Sequence, residues 1–491
     1  MKSLNWLSLV LVMVIVLSAC SSKGDNKTAG AAFDQDEKVT LKVLYFNEQA
    51  FYSQYGSVFQ AKYPNIEFEV IPTMGNMGDD KDPAAEFEKL IEENKPDLIM
   101  MNASQYEKLS AASKLYALDS VIQQDKFDIE NMVPAVIEFL KNKGGGKLYG
   151  LSPTFSAKAL FYNKDLFDAQ GLPYPTDKMS WEDVLKLAQQ FPTTGTDDTR
   201  IYGLAQSMFT QDPTELVKTI ADSKKLSILD AEGKNLTMDT PEWKSIFEEV
   251  VTAYQSNSVS LSGDSAFSAA PAKSSSVSSS KGDDGPKRIS IGENSNLFLS
   301  GRAAMMIDSS FMLNQMDMMK NMDKDAKPIN MGMVTEPVDP ANPDMSDSFS
   351  VSQIFGVDAQ SAHVGAAWEF IKYVHSDDLA KIRSKSSPEL ISRSAYAKDK
   401  QGNSLEAFYK LKPNSDTGLQ LFPKGFREAF SEVASAETKA AISKSKSIDE
   451  AFAAIIEKGQ KVLTEANISG EMETEQEEGN MMIGSMQVFR N

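Results

Sequence analysis

Strand-like and helix-like patterns alternate from the start of the folded part of this 491-residue chain. Segments in which apolar residues alternate or run together are typical of strands, and they lie at 39–46, 66–71 and 97–101. The segments that follow them have the spacing of amphipathic helices, at 51–63, 83–93 and 106–122. This alternation predicts an α/β fold, in which a parallel sheet carries helices on both faces.

Both patterns continue along the rest of the chain, which is long enough for two domains with separate cores. Further strands are expected at 159–162, 202–206, 329–334 and 349–357. Further helices are expected at 180–191, 240–254, 362–375, 426–441 and 448–463.

The stretch 294–311 (NSNLFLSGRAAMMIDSSF) predicts the position of a ligand site. Its first part is expected to end a helix at Gly301, and 302–307 has the pattern of a strand buried on both faces. Asp308 and the two serines after it stop that strand and offer capping oxygens, and Phe311 opens a Met-rich helix. Open α/β sheets bind ligands at such strand-to-helix turns, and an aromatic ring beside hydroxyls suits a sugar. The alternative is an ordinary core strand followed by a helix cap and a core Phe.

Composition excludes several classes of function. A net charge of -19 and a pI of about 4.7 oppose binding to nucleic acid or to anionic membranes. One cysteine and two histidines leave no intrachain disulfide, thiolate metal site or thiol catalysis, so we expect no metal and no cofactor. His363 and His375 are expected on the surface of one helix, and the glycines at 144–146 lack the Lys-Ser/Thr of a phosphate loop.

The N-terminus has the pattern of an exported protein. Lys2 precedes an apolar run at 7–17, which ends in Leu-Ser-Ala-Cys at Cys20. This tetrad resembles the lipobox of bacterial lipoproteins, which implies a signal peptide at 1–19 and a lipid anchor, with palmitate among its acyl chains, on Cys20. Residues 20–38 would then be a flexible tether. A plain transmembrane anchor is the alternative, although the run is short for a span of about 20 residues.

Two segments are too polar to order themselves. Residues 259–286 are rich in Ser, Gly and Ala and are interpreted as a solvated loop within a domain, the alternative being a linker between domains. Residues 464–491 are interpreted as a loose acidic tail.

Several motifs in order resemble family 1 of the extracellular solute-binding proteins of ABC importers, a family that includes maltose-binding proteins. The motifs are LFYNKDLF at 160–167, Gly-Leu at 171–172, SWED at 180–183, FLSGRAAM at 298–305, AWEFIKY at 367–373 and SIDEAF at 447–452. They extend over most of 39–463.

The resemblance implies a two-lobed, periplasmic-binding-protein-like fold of type II, with discontinuous lobes joined by hinge crossings. Lobe one would comprise 39–155 and 329–394, and lobe two 156–328 and 395–463. It also implies a monomeric, membrane-tethered protein on the extracytoplasmic face of the cell membrane. Such a protein captures a carbohydrate, most simply an oligosaccharide, and delivers it to an ABC permease without catalysis. Closure on the ligand shifts an existing equilibrium between open and shut lobes.

Candidate ligand-binding residues follow from the same comparison. Phe311 stands where the family often has a sugar-stacking Trp, and Asp308 could accept sugar hydroxyls or cap a helix. The remaining candidates lie at strand ends or crossings: Asn47, Glu48, Asn102, Phe155 and Phe209. For the last two, a place in the core is the alternative.

Two other functions compete with solute capture. An exported carbohydrate-active hydrolase would need a pair of carboxylates roughly 5–10 Å apart, and acidic residues are plentiful. However, the chain has neither G-x-S-x-G nor H-E-x-x-H, and neither histidine has a catalytic partner in sequence. A sensor or adhesion lipoprotein would keep the fold and lack the transporter.

Overall fold

The computed structural model describes residues 38–74, 83–195, 199–207, 212–260, 296–322, 329–399, 402, 404–414, 421–468, 470 and 472–474. In chain order its strands are β1 (Val39–Tyr45), β2 (Ile66–Pro72), β3 (Leu98–Met101), β4 (Gly150–Leu151), β5 (Thr154–Phe155), β6 (Lys158–Asn163), β7 (Tyr202–Ala205), β8 (Ala303–Ser309), β9 (Met331–Thr335), β10 (Met345–Ser346), β11 (Ile354–Val357), β12 (Leu390–Ile391), β13 (Lys412–Pro413), β14 (Leu421–Pro423) and β15 (Met472–Thr474).

The α-helices, again in chain order, are α1 (Glu48–Phe51), α2 (Ser57–Lys62), α3 (Pro83–Asn94), α4 (Ala103–Ala111), α5 (Asp119–Gln124), α6 (Pro134–Lys143), α7 (Lys164–Gln170), α8 (Trp181–Ala188), α9 (Pro213–Ser223), α10 (Pro241–Gln255), α11 (Phe311–Met322), α12 (Val364–Val374), α13 (Asp377–Arg383), α14 (Phe426–Ile442) and α15 (Ile448–Ala466). A π-helical turn (Tyr52–Gly56) joins α1 to α2, and short 3-10 turns lie at Ser394–Tyr396 and Glu406–Phe408.

The first sheet has the strand order β2-β1-β3-β11-β4. As predicted, β1 is parallel to β2 and β3, and every residue of β3 is buried. However, β11 is antiparallel to both β3 and β4. The chain enters β11 from the side of the second sheet, so Ile354, its first residue, lies opposite Met101, the last residue of β3. The α/β class is therefore confirmed, but this sheet is mixed rather than wholly parallel.

The second sheet has the strand order β7-β8-β6-β9. β8 is parallel to β7 and antiparallel to β6, which is also antiparallel to β9. The sequence assigned 329–335 to lobe one, whereas β9 pairs with β6 and so belongs to the second sheet. Periodicity identifies a strand at this position but cannot show which sheet accepts it.

Three segments run side by side between the two sheets. The first leads from β5 into β6, and its Ser156 bridges to Ser350 on the second segment, which leads back to β11. The third contains β12, which pairs with β5 and leads on toward α14 and α15. We refer to these as the hinge segments and define them as 154–158, 346–353 and 387–392.

Two hydrophobic clusters follow this division. The larger surrounds the first sheet and continues across the hinge to Phe161 and Met306. The smaller packs α8, α9, α10, α14 and α15 against the second sheet, around Leu160 and Trp243. Leu160 and Phe161 are neighbours in β6, and because successive side chains of a strand point to opposite faces, they enter different clusters.

Some predicted helices need correction. The helix expected at 106–122 is two helices, α4 and α5, because Ser113 adopts a φ of 55° and Leu115 then bridges to Asp358. The sequence also missed α6, α7, α9 and α13. The residues expected to end a helix before Gly301 form a turn instead, although Gly301 has the predicted positive φ, at 74°.

The C-terminal region is more structured than the predicted loose tail. α15 continues to Ala466, and β15 pairs antiparallel with β14. Residues 472–474 therefore form a strand. Most of the Ser-rich loop at 259–286 lies outside the described residues, but Val259 and Ser260 are described and buried.

His375 is not a surface residue, which corrects the expectation for that histidine. Its side chain is 2% exposed, and its Nδ1 lies 2.7 Å from the carbonyl oxygen of Ile371, one helical turn earlier. Burial is the main cause that lowers the pKa of His375 to about 4, and the charges of Arg393 and Arg383 add to it. The imidazole is therefore neutral in the folded protein at physiological pH.

This buried imidazole predicts acid sensitivity. Between about pH 6.5 and 4, the unfolded chain binds a proton at His375 and the folded chain does not, so stability falls as the pH falls. At pH 5 the contribution is about 2 kcal/mol. In urea unfolding at pH 7 and pH 5, His375→Leu should therefore lose less stability on acidification than the natural chain. Equal losses in the two proteins would contradict this assignment.

Candidate ligand-binding cleft

The hinge-facing edge of the first sheet is built from strand ends. The parallel strands β1 and β3 both end there, and Asn47 and Asn102 follow directly beyond them. The side-chain oxygen of Asn47 caps α1 by accepting from the Ala50 N–H at 2.7 Å. The oxygen of Asn102 caps α4 by accepting from the Gln105 N–H at 2.9 Å, within a capping box. Since the caps use the oxygens, the amide NH2 groups are the donors that each residue can offer a ligand, and that of Asn47 also lies 4.0 Å from the sulfur of Met74.

Glu48 lies in the first turn of α1 and is exposed. A carboxylate at this position interacts favourably with the helix dipole. The role of Glu48 in ligand binding stays a prediction.

The hinge-facing edge of the second sheet brings together the ends of β7 and β8 and the start of β6. Lys158 opens β6 opposite Ser309, the last residue of β8. Gln206 and Ser207 follow the end of β7 and are half-buried. None of these three residues was among the predicted site residues. Ser207 directly follows the strand predicted at 202–206, and that signal could have found it.

Asp308 is buried at this edge and is held by protein donors. The Ser309 N–H donates to its Oδ1 at 2.7 Å, and the Ser207 hydroxyl donates to its Oδ2 at 3.2 Å. Burial raises the pKa of Asp308, and the hydrogen bonds and the Lys158 charge act in the opposite direction. Asp308 therefore connects the end of β8 to the residues after β7, and each of its oxygens already accepts one hydrogen bond from the protein.

Phe311 begins α11, as predicted, and its side chain is half-buried. At the start of this helix the Ser309 hydroxyl accepts from the Phe311 N–H at 3.3 Å. Its neighbour Met312 and Met306 of β8 are buried in the core. A ring that is only partly covered, at the N-terminus of a helix, can offer a face to a ligand.

Phe155 lies in β5 on the first hinge segment and is 1% exposed. Its ring stacks on Phe349 of the second hinge segment, with centroids 5.3 Å apart. Phe155 therefore packs the hinge rather than lining a ligand surface. Phe209 and Cys20 lie outside the described residues.

A second buried carboxyl group lies near the hinge. Glu336 follows β9 and accepts from the hydroxyl of Ser346 and from the backbone N–H of Ser348. Burial raises its pKa, while the hydrogen bonds and the Lys158 charge oppose that shift. Lys158, which is exposed, thus acts on both Asp308 and Glu336.

A groove of about 690 Å³ lies beside α11 and is also lined by residues 387–391 of the third hinge segment. Met316, Met331 and Met333 are among its apolar lining residues, and Asp317 and Lys410 are among its charged ones. Ser310 lines it, but neither Phe311 nor the asparagines at the ends of β1 and β3 do. The groove therefore extends from α11 to the third hinge segment.

Within the described ranges, no group of three or more His, Cys, Asp or Glu side chains is arranged to hold a metal ion. Among the helices of this described part, none is both long and apolar enough to cross a membrane.

Three solved structures share this architecture at low sequence identity. An extracellular solute-binding protein of family 1 from Alicyclobacillus acidocaldarius is 14% identical, with a TM-score of 0.58, over 88% of this chain and 100% of the other. A sugar transporter from Rhizobium etli, in an open conformation, is 20% identical, with a TM-score of 0.53, over 86% and 99%. The sugar-binding protein MalE from Xanthomonas citri is 16% identical, with a TM-score of 0.53, over 87% and 98%. These likenesses confirm the predicted two-lobed fold.

The model of the bacterial extracellular solute-binding protein family matches residues 54–410. This match takes in all three hinge segments, the second sheet and every strand of the first sheet except β1. It also agrees with the resemblance carried by the sequence motifs. The chain is therefore a member of the bacterial extracellular solute-binding proteins.

Proposed function

We propose that this protein captures a carbohydrate between its two lobes and delivers it to an ABC permease while tethered to the membrane through Cys20. The observation that carries the proposal is the half-buried ring of Phe311 at the start of α11, on the hinge-facing edge of the second sheet. Amide groups at Asn47 and Asn102 lie on the corresponding edge of the first sheet. An apolar ring face with amide donors is suited to the C–H and hydroxyl surfaces of a sugar.

Family membership and the relatives support this ligand class. The Rhizobium relative is a sugar transporter, and the Xanthomonas relative is a sugar-binding protein. We propose the same class of solute here, bound and released without chemical change. We also propose a monomer in which the lobes are 39–155 with 346–394, and 156–338 with 395–466.

The hydrolase alternative has less support. Its best carboxyl candidates near the hinge, Asp308 and Glu336, are both buried and both accept hydrogen bonds from serine hydroxyls and backbone N–H groups. Product analysis after incubation with oligosaccharides would reveal hydrolysis. A sensor or adhesion role would be favoured if deletion of the gene left solute uptake unchanged.

Phe311→Ala should weaken sugar binding by about 1–3 kcal/mol, the scale of a lost aromatic contact surface. The ligand would first be found by a thermal-shift screen over sugars, polyols, amino acids and anions. Isothermal calorimetry would then compare Phe311→Ala with Phe311→Trp, which keeps a ring and should retain most of the affinity. Unchanged affinity in Phe311→Ala, with the fold intact, would move the site away from α11.

Cys20→Ser should release the protein from the membrane, because the thioether that would carry the lipid can no longer form. The natural chain should incorporate radioactive palmitate and be recovered in the membrane fraction. Cys20→Ser should incorporate no label, whether it is recovered in the membrane or in the soluble fraction. Retention of Cys20→Ser in the membrane would favour the alternative of a transmembrane anchor.

A further inference from the structure

One carboxylate connects all three hinge segments. Glu389, on the third segment, accepts from the hydroxyl of Thr154 on the first at 2.7 Å and from the hydroxyl of Ser352 on the second at 3.1 Å. The two bonds use different oxygens of the same carboxylate. A carboxylate that accepts two hydroxyl groups forms stronger hydrogen bonds than neutral pairs do.

The residues around Glu389 extend this connection into the second lobe. The Ser310 hydroxyl donates to the carbonyl of Pro388 at 2.9 Å, and the Asn314 amide donates to the carbonyl of Ser387 at 3.4 Å. Ser310 and Asn314 flank Phe311 at the start of α11. The third hinge segment is therefore in contact with the helix that carries the proposed ligand-binding ring.

A second set of contacts extends from the same region into the first lobe. Arg383, at the end of α13, lies 4.8 Å from the ring centre of Tyr55. The Tyr55 hydroxyl in turn donates to Gln353, beside Ser352, at 3.0 Å. Both Tyr55 and Gln353 are buried. The hinge segments therefore contact the second lobe through Ser310 and Asn314 of the α11 region and the first lobe through Tyr55.

We infer that Glu389 is a positioning residue that sets the resting angle between the lobes and thereby the apparent affinity for the solute. When one lobe rotates against the other, the three hinge segments must shift relative to one another. The two hydroxyl bonds of Glu389 hold the segments in one relative position and so favour the arrangement in which they form. The apparent dissociation constant of a closing protein scales inversely with the fraction of molecules able to close. This inference rests on the proposed function, since it assumes capture by closure.

Fluorescence transfer in the unliganded protein tests the inference. Cys20 is the only cysteine, so a Cys20→Ser background allows dye pairs at Glu138→Cys in α6 and Glu457→Cys in α15, both exposed helix positions in different lobes. Glu389→Gln removes the charge and one acceptor. It should change the ratio of lobe arrangements about tenfold, away from the described one, the scale of one lost charge-assisted hydrogen bond. Glu406→Gln makes the same chemical change at an exposed site outside the hinge and should leave the ratio unchanged.

Two further variants keep the test valid if Glu389→Gln fails to fold. Thr154→Val and Ser352→Ala each remove one donor, and each should shift the ratio in the same direction by less. A distance distribution identical to that of the natural chain in all three variants would overturn the inference, as would an equal shift in Glu406→Gln. Failure of the proposed function would look different, since the natural chain would then show no closure with any sugar of the screen while the Glu389 effect persisted.

Discussion

Replacing Phe370 by alanine should lower the free energy of unfolding by about 3–5 kcal/mol, the usual cost of removing a large buried aromatic side chain. Phe370 is fully buried in α12 and packs against the first sheet. Its ring lies 5.1–6.3 Å, centre to centre, from five other aromatic rings: Phe51, Tyr55, Phe59, Phe68 and Phe355. Alanine would leave a cavity that these rings, fixed on two strands and three helical segments, can only partly fill.

Urea unfolding would measure this loss, with calorimetry to establish whether the lobes unfold together. Ile382→Ala is the matched control, since Ile382 lies in the same lobe on α13 and is 61% exposed. It should change stability by less than about 0.5 kcal/mol. A loss below about 1 kcal/mol for Phe370→Ala would show that the aromatic cluster is loosely packed and would contradict the described core.

The second large effect is expected from Gly203→Ala, which should cost about 3 kcal/mol, at the upper end of overpacking penalties. Gly203 lies in β7, where α8 passes very close. An added Cβ would lie 2.0 Å from the carbonyl oxygen of Ala188 and 2.5 Å from its carbonyl carbon and Cα. Those are backbone atoms, so no side-chain rotation relieves the clash and the end of α8 must move.

A glycine with open space around it separates this steric effect from backbone strain. Gly145 has a φ of 63°, and an added Cβ there would meet nothing within 4 Å. Gly145→Ala should therefore cost only the backbone penalty of about 1–2 kcal/mol. Thermal and urea unfolding of both variants would compare the two costs. If Gly203→Ala were the milder change, the close approach of α8 to β7 would be wrong.

The sequence predicted the elements whose patterns are local. β1, β2 and β8 were placed to within about two residues, because alternation and apolar runs are visible in a short window. The start of α11 at Phe311 was predicted from the capping residues before it. The direction of β11, the sheet that accepts β9 and the break between α4 and α5 depend on partners far along the chain, which no local pattern contains.

The candidate site divides in the same way. Asn47 and Asn102 were selected as strand-end residues, and both lie at the expected edge of the first sheet. The burial of Phe155 depends on Phe349, and the role of Asp308 depends on Ser207, about a hundred residues before it. These contacts form only in the folded protein. The sequence therefore indicates which residues lie near the cleft more reliably than which of them are still available to bind.

The central position of β3 in the first sheet has a consequence for biosynthesis. One side of β3 pairs with β1, which is made earlier, but its other partner, β11, is made about 250 residues later, after the four strands of the second sheet. During synthesis and export, the backbone groups along one edge of the apolar strand Leu98–Met101 therefore remain unpaired. Such an edge is prone to pair with other chains. We expect the nascent chain to depend on a chaperone over this interval, and the second sheet to be complete before the first.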